Sequence, residues 1–575
     1  MRSSSMKQFV IALSLASAAA FAQEASPASP PLPPAVTLQI APRIGITGEA
    51  PIALPDVIQA VLANNRDIEV SHLAQRKAVL NLKAARGYFD PVIGGSAHTM
   101  RQVTPVSSSL GGATNGALTQ KELYADPQIS GNSPWLGTTY KLDFASTRSN
   151  SSNTYNTLNP TYTTSATANF TQPLWSGLFF DQNRERLKVA RKNIAQSDEQ
   201  FRQRVIETTT QAIHAYWELD YALRNLDVQI EAVRLAEQQD ASNRRQVEQG
   251  TQAPIDVIQT QTQMSTYQQN VFNAQQQVTK AENSLKALML PNRGDPLWSV
   301  ALKTASSPTE SSPIPTLEEA MQQALADRPD LKAGAIGVQV SGLDARLAHE
   351  QAKPQVNLTA QLGVQGLSGR SVPQSSDLFG SLFAPLVTRI NDLSTLAGLA
   401  PISLSSGSSS SGVPSFFVGG YDQSLGNLRD GRFPIVKVGV QMSWPIGNRT
   451  ARAQAAVADA NKKQTIAQQQ QLEMTVESDV RNGLQQLINA DLVLSASHRA
   501  AILAQQQYDS EQRQFKAGTS TVYLVLQRQN ELISAKLREI RAAADRGEAE
   551  ADFDRATANT LRRQNIDIVA VSKKL

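Results

Sequence analysis

The most regular hydrophobic pattern of the chain lies in residues 181–247, where apolar positions alternate at spacings of four and three. This spacing is typical of a coiled-coil seam, and no proline interrupts it. It predicts a helix of roughly 100 Å, and its many Gln, Arg and Glu side chains exclude a lipid-facing span. The seam consists of Ala212, Tyr216, Leu219, Leu223, Leu226, Ile230 and Val233.

The long helix is predicted to turn back on itself at residues 250–254. Gly250 suits the position after a helix C-terminus, and Pro254 suits the first turn of the next helix, where Asp256 complements the helix dipole. The return arm repeats an apolar residue every seven positions, so the two arms can pack side by side. The repeated residues are Val257, Met264, Val271, Val278 and Leu285.

A second long helix is predicted at residues 449–516, followed by a glycine turn at 517–521 and another return arm. Its heptad positions are Leu487, Leu494, Ala501, Tyr508 and Phe515. A shift of 268 residues lays Gly250-Thr251 on Gly518-Thr519. The helical hairpin is therefore interpreted as duplicated.

The duplication extends upstream, because a shift of 263 residues aligns apolar and polar positions of 54–91 with 317–354 without a gap. In the second copy, Thr316 and Glu319 form the pattern of a capping box. A period above 200 residues indicates two large homologous halves rather than a solenoid. We predict them at 51–315 and 316–560, followed by a C-terminal tail at 561–575.

Alternating apolar and polar residues, the period of a β-strand, appear between the helical segments of each half. Residues 356–364 and 436–444 alternate clearly, and residues 91–103 and 162–170 alternate more weakly. Each is about ten residues long, the length of a tilted transmembrane strand with one lipid-facing side. We predict four such strands per chain.

The segments between the paired strands, residues 104–160 and 367–432, are rich in Ser, Thr, Gly and Asn and are predicted to be long outer loops. The alternating piece Tyr140-x-Leu142-x-Phe144 is interpreted as part of the first loop, because both ends of the strand region must return to the side of the helices. Four strands cannot close a barrel, since the smallest barrel has eight. The chain is therefore expected to oligomerise.

The N-terminus reads as a secretory signal peptide at residues 1–22, followed by a proline-rich leader at 23–50. The chain has no cysteine, which excludes disulfides, thiol catalysis and a lipid-modified cysteine. Its net charge is only +4 over 575 residues, with charges interleaved along the helices, which argues against nucleic acid as a partner. The five histidines are scattered, no catalytic motif appears, and no enzyme, cofactor or metal site is predicted.

Together these features resemble the TolC-type outer-membrane efflux proteins. The resemblance rests on FTQPLWSGLFF at 170–180 and VQMSWPIGNRTARA at 440–453, where a strand ends in proline and enters a long helix, and on the hairpin turns QGTQAPIDVIQTQ and AGTSTVYLVLQRQ. It implies a mainly α-helical chain with membrane β-strands. It also implies a homotrimer with a twelve-stranded barrel in the outer membrane and an α-helical tunnel through the periplasm.

In function, the resemblance implies a passive exit duct for an efflux pump or a type I secretion system. The expected partners are a periplasmic adaptor (membrane fusion) protein, an inner-membrane transporter of the RND, ABC or MFS class, and outer-membrane lipid. The family's adaptor-docking tips correspond to Gly250, Thr251, Gly518 and Thr519. Asp256 matches an aspartate that narrows family tunnels, whereas Leu524 and Gln527 occupy the comparable positions of the second hairpin.

Simpler interpretations stay open for these residues. Any helical hairpin needs a tip glycine, and Asp256 also favours a helix N-terminus without a gate. For the whole chain, the alternative is a periplasmic coiled-coil adaptor or a structural scaffold, which explains the helices but not two hairpins together with four strands. Drug, metal-ion and protein export all remain open as the cargo.

Overall fold

The computed structural model describes residues 38–40, 42–107, 111–113, 115–305, 313–372, 378–402 and 413–574. The predicted signal peptide and the first part of the leader lie outside these residues. The described helices are α1 Leu54–Asn64, α2 Arg66–Gly87, α3 Gln182–Glu248, α4 Pro254–Met289, α5 Leu317–Asp327, α6 Pro329–Gln351, α7 Leu378–Leu396, α8 Tyr421–Arg429, α9 Arg449–Lys516, α10 Val522–Ala556, α11 Thr560–Arg563 and α12 Ile568–Lys574. The described strands are β1 Gly48–Ile52, β2 Val92–Pro105, β3 Ala117–Asn132, β4 Thr139–Ser151, β5 Leu158–Pro173, β6 Val300–Thr304, β7 Gln355–Ser371 and β8 Phe433–Ser443.

The two long helices and their return arms confirm the heptad prediction. Helices α3 and α9 contain 67 and 68 residues. All five heptad residues of α4 are buried, and Met264 and Val271 pack with Ala232, Val233 and Ala236 of α3. The seam is therefore the contact surface between the two arms of the first hairpin.

The predicted capping box at the start of α5 is present. The Thr316 hydroxyl accepts a hydrogen bond from the Glu319 amide, and the Glu319 carboxylate accepts one from the Thr316 amide. Two backbone donors that have no partner within the helix are thereby satisfied. This junction is where the second predicted half begins.

The prediction of four strands is wrong, because the larger sheet has six, in the order β2-β3-β4-β5-β7-β8 with every neighbouring pair antiparallel. The piece around Tyr140 belongs to β4 rather than to an outer loop. The segment 104–160 is thus mostly an additional hairpin, β3–β4. The requirement that both ends of the strand region lie on the side of the helices is still met, because two added strands also return the chain to that side.

The chain folds into two compact units. One contains the described residues within 58–211, 312–485 and 550–575, and with them the six-stranded sheet. The other contains the described residues within 38–57, 212–311 and 486–549, and with them both hairpin turns. None of the described helices combines the length and the apolar character needed to cross a membrane.

The unit with the hairpin turns also contains a short parallel sheet of β1 and β6 that the hydrophobic pattern did not predict. Beside it, Lys286 and Glu282 of α4 form a fully buried ion pair with 2.5 Å between Nζ and the carboxylate. Arg43 from the N-terminal arm lies 2.8 Å from the same carboxylate, and Lys286 donates hydrogen bonds to the carbonyls of Trp298 and Val300. These contacts hold the N-terminal segment around Arg43 and the segment before β6 against α4 of the first hairpin.

In the unit that contains the sheet, a carboxyl group is buried in the first turn of α3. Glu185 is only 8% exposed and hydrogen bonds to Asp344 of α6. Loss of hydration, and then the bond to Asp344 and its negative charge, raise the pKa of Glu185 to about 7. The folded protein therefore holds this proton to a higher pH than the unfolded chain does.

This difference predicts a pH-dependent stability. A raised carboxyl pKa stabilises the folded state below the ordinary pKa of about 4.5, and this stabilisation is lost as pH rises to about 7. We expect Glu185→Gln to remove this loss and to be more stable than the unsubstituted protein at pH 8 by about 2 kcal/mol. Thermal unfolding in detergent at pH 5 and pH 8 measures the effect. The control Glu473→Gln removes an exposed charge from α9 and should leave the pH profile unchanged; equal profiles for both variants would contradict the assignment.

Candidate functional site: the two helical tips

The two hairpin turns have the same backbone structure. Gly250 and Gly518 adopt φ values of +72° and +76°, which suit glycine because no Cβ is present. The amides of Thr251 and Thr519 each bond to the carbonyl five residues earlier, at 2.9 Å to Gln246 and 3.0 Å to Gln514. The sequence match between the two turns is therefore also a structural match.

The threonine hydroxyls have a local role at both tips. Each donates a second hydrogen bond to the same carbonyl, from Thr251 Oγ1 to Gln246 O at 2.9 Å and from Thr519 Oγ1 to Gln514 O at 3.1 Å. These bonds satisfy carbonyls that the helix C-terminus leaves without partners. Both threonines are exposed, so their remaining surface is accessible to a partner.

The two return arms lie beside each other close to these turns. Asn530 of α10 accepts hydrogen bonds from Gln263 Nε2 at 3.0 Å and from Tyr267 Oη at 2.6 Å, both on α4. Burial raises the pKa of Tyr267, so its hydroxyl stays protonated and able to donate. The first and second hairpins are thus linked by a half-buried polar contact.

A groove between the return arms contains Gln527, one of the two predicted constriction residues of the second hairpin. Gln527 lines it and donates to Glu531 at 3.3 Å, while Leu524 is 37% exposed next to Tyr523, which is 65% exposed. Asp256 lies in the first turn of α4 and is half-buried. The structure therefore leaves Leu524 and Tyr523 more accessible than the candidate aspartate.

Sequence reasoning missed Tyr267 and Asn530. Tyr267 fits the apolar spacing of α4, three residues after Met264, and Asn530 is one of many polar residues on α10. Neither residue therefore stands out in the hydrophobic pattern. The shift of 268 residues aligns Asn530 with Thr262. This difference between the two hairpins was the one feature of the sequence that could have indicated the contact. Among the described residues no group of three or more His, Asp or Glu side chains is arranged to hold a metal ion.

A family model described as outer membrane efflux protein matches residues 57–289 and 393–559, which is more than half of the chain. The chain belongs to the outer membrane efflux protein family. Membership confirms the predicted resemblance, the location in the outer membrane with extension into the periplasm, and the role as an efflux exit duct. The adaptor and scaffold alternatives are not supported.

Solved structures of outer-membrane channels share the fold of this family member. The Campylobacter jejuni channel CmeC superposes with a TM-score of 0.61 at 14% identity, covering 91% of this chain and 89% of that one. The channel OprN gives 0.60 at 15% identity with 88% and 89% covered, and VceC of Vibrio cholerae gives 0.57 at 14% with 88% and 95% covered. The comparison with curated proteins finds no match.

Proposed function

We propose that three copies of this chain form the outer-membrane duct of a tripartite pump, and that the tips at Gly250-Thr251 and Gly518-Thr519 dock on a periplasmic adaptor. An inner-membrane transporter of the RND, ABC or MFS class would load the duct. The observation that carries the docking role is the shared tip geometry, because two turns 268 residues apart present the same exposed Gly-Thr surface. Membership of the efflux family supports this role, because channels of the family work with periplasmic adaptors.

Oligomerisation is supported by the edges of the six-stranded sheet. Of the strands that the structure describes, β2 and β8 each pair on one side only. A strand edge in lipid leaves backbone N–H and C=O groups without partners, at a cost of several kcal/mol each. Neighbouring copies would remove this cost by pairing β2 of one with β8 of the next.

Membrane extraction and native mass spectrometry test this assembly. We expect an integral outer-membrane product that detergent releases as a trimer, and a strain lacking the gene should accumulate the exported compound. A product that salt removes from membranes would favour a scaffold. A stable monomer inserted in the membrane would contradict closure between copies.

For the resting state, we propose that Leu524 contributes more than Asp256 to closing the tunnel. A ring of aspartates on one axis is self-repelling and needs counter-charges, whereas a narrow apolar ring blocks ions by dewetting. The greater exposure of Leu524, next to Tyr523, supports this order. The polar link from Tyr267 to Asn530 would hold the two return arms in the closed arrangement.

The larger contribution of Leu524 to closure predicts which of two variants has the higher single-channel conductance in planar bilayers. We expect Leu524→Ser to raise conductance more than Asp256→Ala, because it replaces the apolar ring by hydroxyls. Leu503→Ser, at an exposed leucine of α9, controls for a general effect of the substitution and should leave conductance unchanged. The reverse order, or no effect at Leu524, would place the closure elsewhere.

A further inference from the structure

The two halves of the chain differ in the number of strands they contribute to the large sheet. In the second half, β7 and β8 are the two strands between α6 and α9. In the first half, four strands stand between α2 and α3, and the extra pair is the hairpin β3–β4. The duplication predicts two strands in each half, so this hairpin is an insertion into the first.

The inserted hairpin continues the apolar face of the sheet. Residues directly opposite each other on paired strands lie on the same face, so the register identifies each face. From β8 to β2 one row reads Val436, Leu362, Ala168, Leu142, Ile129 and Ile93. Every residue of this row is apolar, including the three on β4, β3 and β2.

The opposite face is polar across the same strands. Asp143 of β4 accepts hydrogen bonds from Thr167 Oγ1 at 2.8 Å and Asn169 Nδ2 at 3.0 Å, both on β5. Gln128 of β3 lies opposite Asp143 on this face. The insertion therefore has one apolar and one polar side, in phase with the rest of the sheet.

The apolar face is limited at both ends by residues suited to a membrane interface. Near the start of the long helices, Trp175 lies two residues after β5 and is 53% exposed, and Trp444 directly follows β8 and is 54% exposed. At the far end, the same face carries Arg101, Lys121 and Arg148, with Arg101 directly opposite Lys121. Aromatic residues and long basic side chains mark the borders of membrane segments.

The turn of the inserted hairpin lies at the end of the sheet where α3 begins. Gln172 Nε2 donates to the carbonyl of Leu136 at 2.9 Å. Gly137 has φ of +66°, and a Cβ there would lie 2.8 Å from the Gly177 carbonyl in the segment between β5 and α3. Strands β3 and β4 therefore run the full height of the sheet.

We infer that all six strands of each chain lie in the wall of the pore, so that three copies form an eighteen-stranded barrel rather than a twelve-stranded one. The inference rests on the proposed three-copy duct. Strand β2 runs away from the helices and β8 runs towards them, so these edges meet antiparallel in a closed ring. Antiparallel pairing throughout is the arrangement of outer-membrane barrels.

A wider exit follows from the added strands. Barrel diameter grows roughly linearly with strand number, so eighteen strands give about one and a half times the diameter of twelve. Barrels of this size leave an open aqueous channel. The barrel then sets no narrow size limit on the cargo.

Cysteine labelling tests whether the hairpin lies in the wall, since the chain has no other thiol. In membranes, a water-soluble maleimide should label Gln128→Cys at least about tenfold faster than Ile129→Cys, because a thiol facing lipid does not ionise. Asp126→Cys and Ala125→Cys provide a second pair with the same expected order. On β7, which is not part of the inserted hairpin, Gln361→Cys and Leu362→Cys are the matched control and should show the same difference in labelling rate if the sheet lies in the membrane.

The outcomes separate this inference from the proposed function. Equal labelling at 128 and 129, with the β7 pair still different, overturns the inference and leaves the duct intact. Equal labelling within the β7 pair contradicts membrane insertion of the whole sheet.

A second measurement tests whether β2 of one copy pairs with β8 of the next and how many copies close the ring. Ala97→Cys on β2 is combined with Cys at one of four positions on the same face of β8, namely Val436, Val438, Val440 or Met442. Oxidation should link neighbouring copies in at least one combination and give a ladder that ends at three chains. A ladder that ends at two, or no link in any combination, contradicts a ring of three copies closed through β2 and β8 and so overturns the count of eighteen, whereas the labelling pairs on β3 decide whether the inserted hairpin belongs to that ring.

Discussion

Replacing both Thr251 and Thr519 by arginine is expected to abolish export while the protein still assembles and inserts into the membrane. The threonines are exposed at tips of identical geometry, and a long charged side chain on each would prevent a close-fitting adaptor surface from approaching. The six-stranded sheet, which we propose inserts into the membrane, belongs to the other compact unit of the chain. Export is measured as complementation of a deletion strain, and assembly as the trimer in native mass spectrometry.

A matched pair of substitutions separates docking from the local role of the hydroxyls. Thr251→Ala with Thr519→Ala removes both hydroxyl bonds to Gln246 and Gln514 but leaves a small neutral surface. Each lost bond costs about 1 kcal/mol, which a long packed hairpin tolerates, so most export should remain. Full export by the double-arginine variant would exclude docking through these tips.

Removal of the buried carboxylate at Glu282 is expected to have the largest effect on stability. Glu282→Leu leaves the fully buried ammonium of Lys286 and the guanidinium of Arg43 without their anion. Breaking a buried pair by removing one partner costs about 3–5 kcal/mol, because an uncompensated charge stays in the interior. The free energy of unfolding, from denaturant titration in detergent, measures the loss.

Two controls give this prediction its specificity. Glu282→Leu combined with Lys286→Met replaces both fully buried charges by apolar groups and should recover part of the loss, while Arg43 and the carbonyls of Trp298 and Val300 still lose their partners. Glu477→Leu breaks an exposed pair with Arg481 at the same spacing of four and should cost at most about 1 kcal/mol. If the double variant were as unstable as Glu282→Leu, the cost would come from packing and not from the orphaned charge.

Local pattern was sufficient for the helical part of this protein. Val257, Met264 and Val271 are buried where the heptad placed them, because a helix presents every seventh residue to the same side. Gly250 and Gly518 end their helices because the φ of such a turn is unfavourable for other residues. Both features depend on residues close together in the chain, which is why periodicity and turn chemistry predicted them.

The inserted hairpin and the buried ion pair depend on partners distant in sequence, and only the tertiary structure decided them. Strands β3 and β4 carry Gly, Pro and Ala as well as large apolar residues on their apolar face, so their alternation in sequence is weak. Their position in the sheet follows from their pairing with β2 and β5. Glu282 and Lys286 are four residues apart on α4, a spacing that is also common on solvated helix surfaces. They are buried because Arg43, more than 200 residues earlier, and the segment before β6 pack on them. The sequence by itself determined the long helices and the two turns, because these are local, whereas strand number and burial of charge were set by which remote segments pack together.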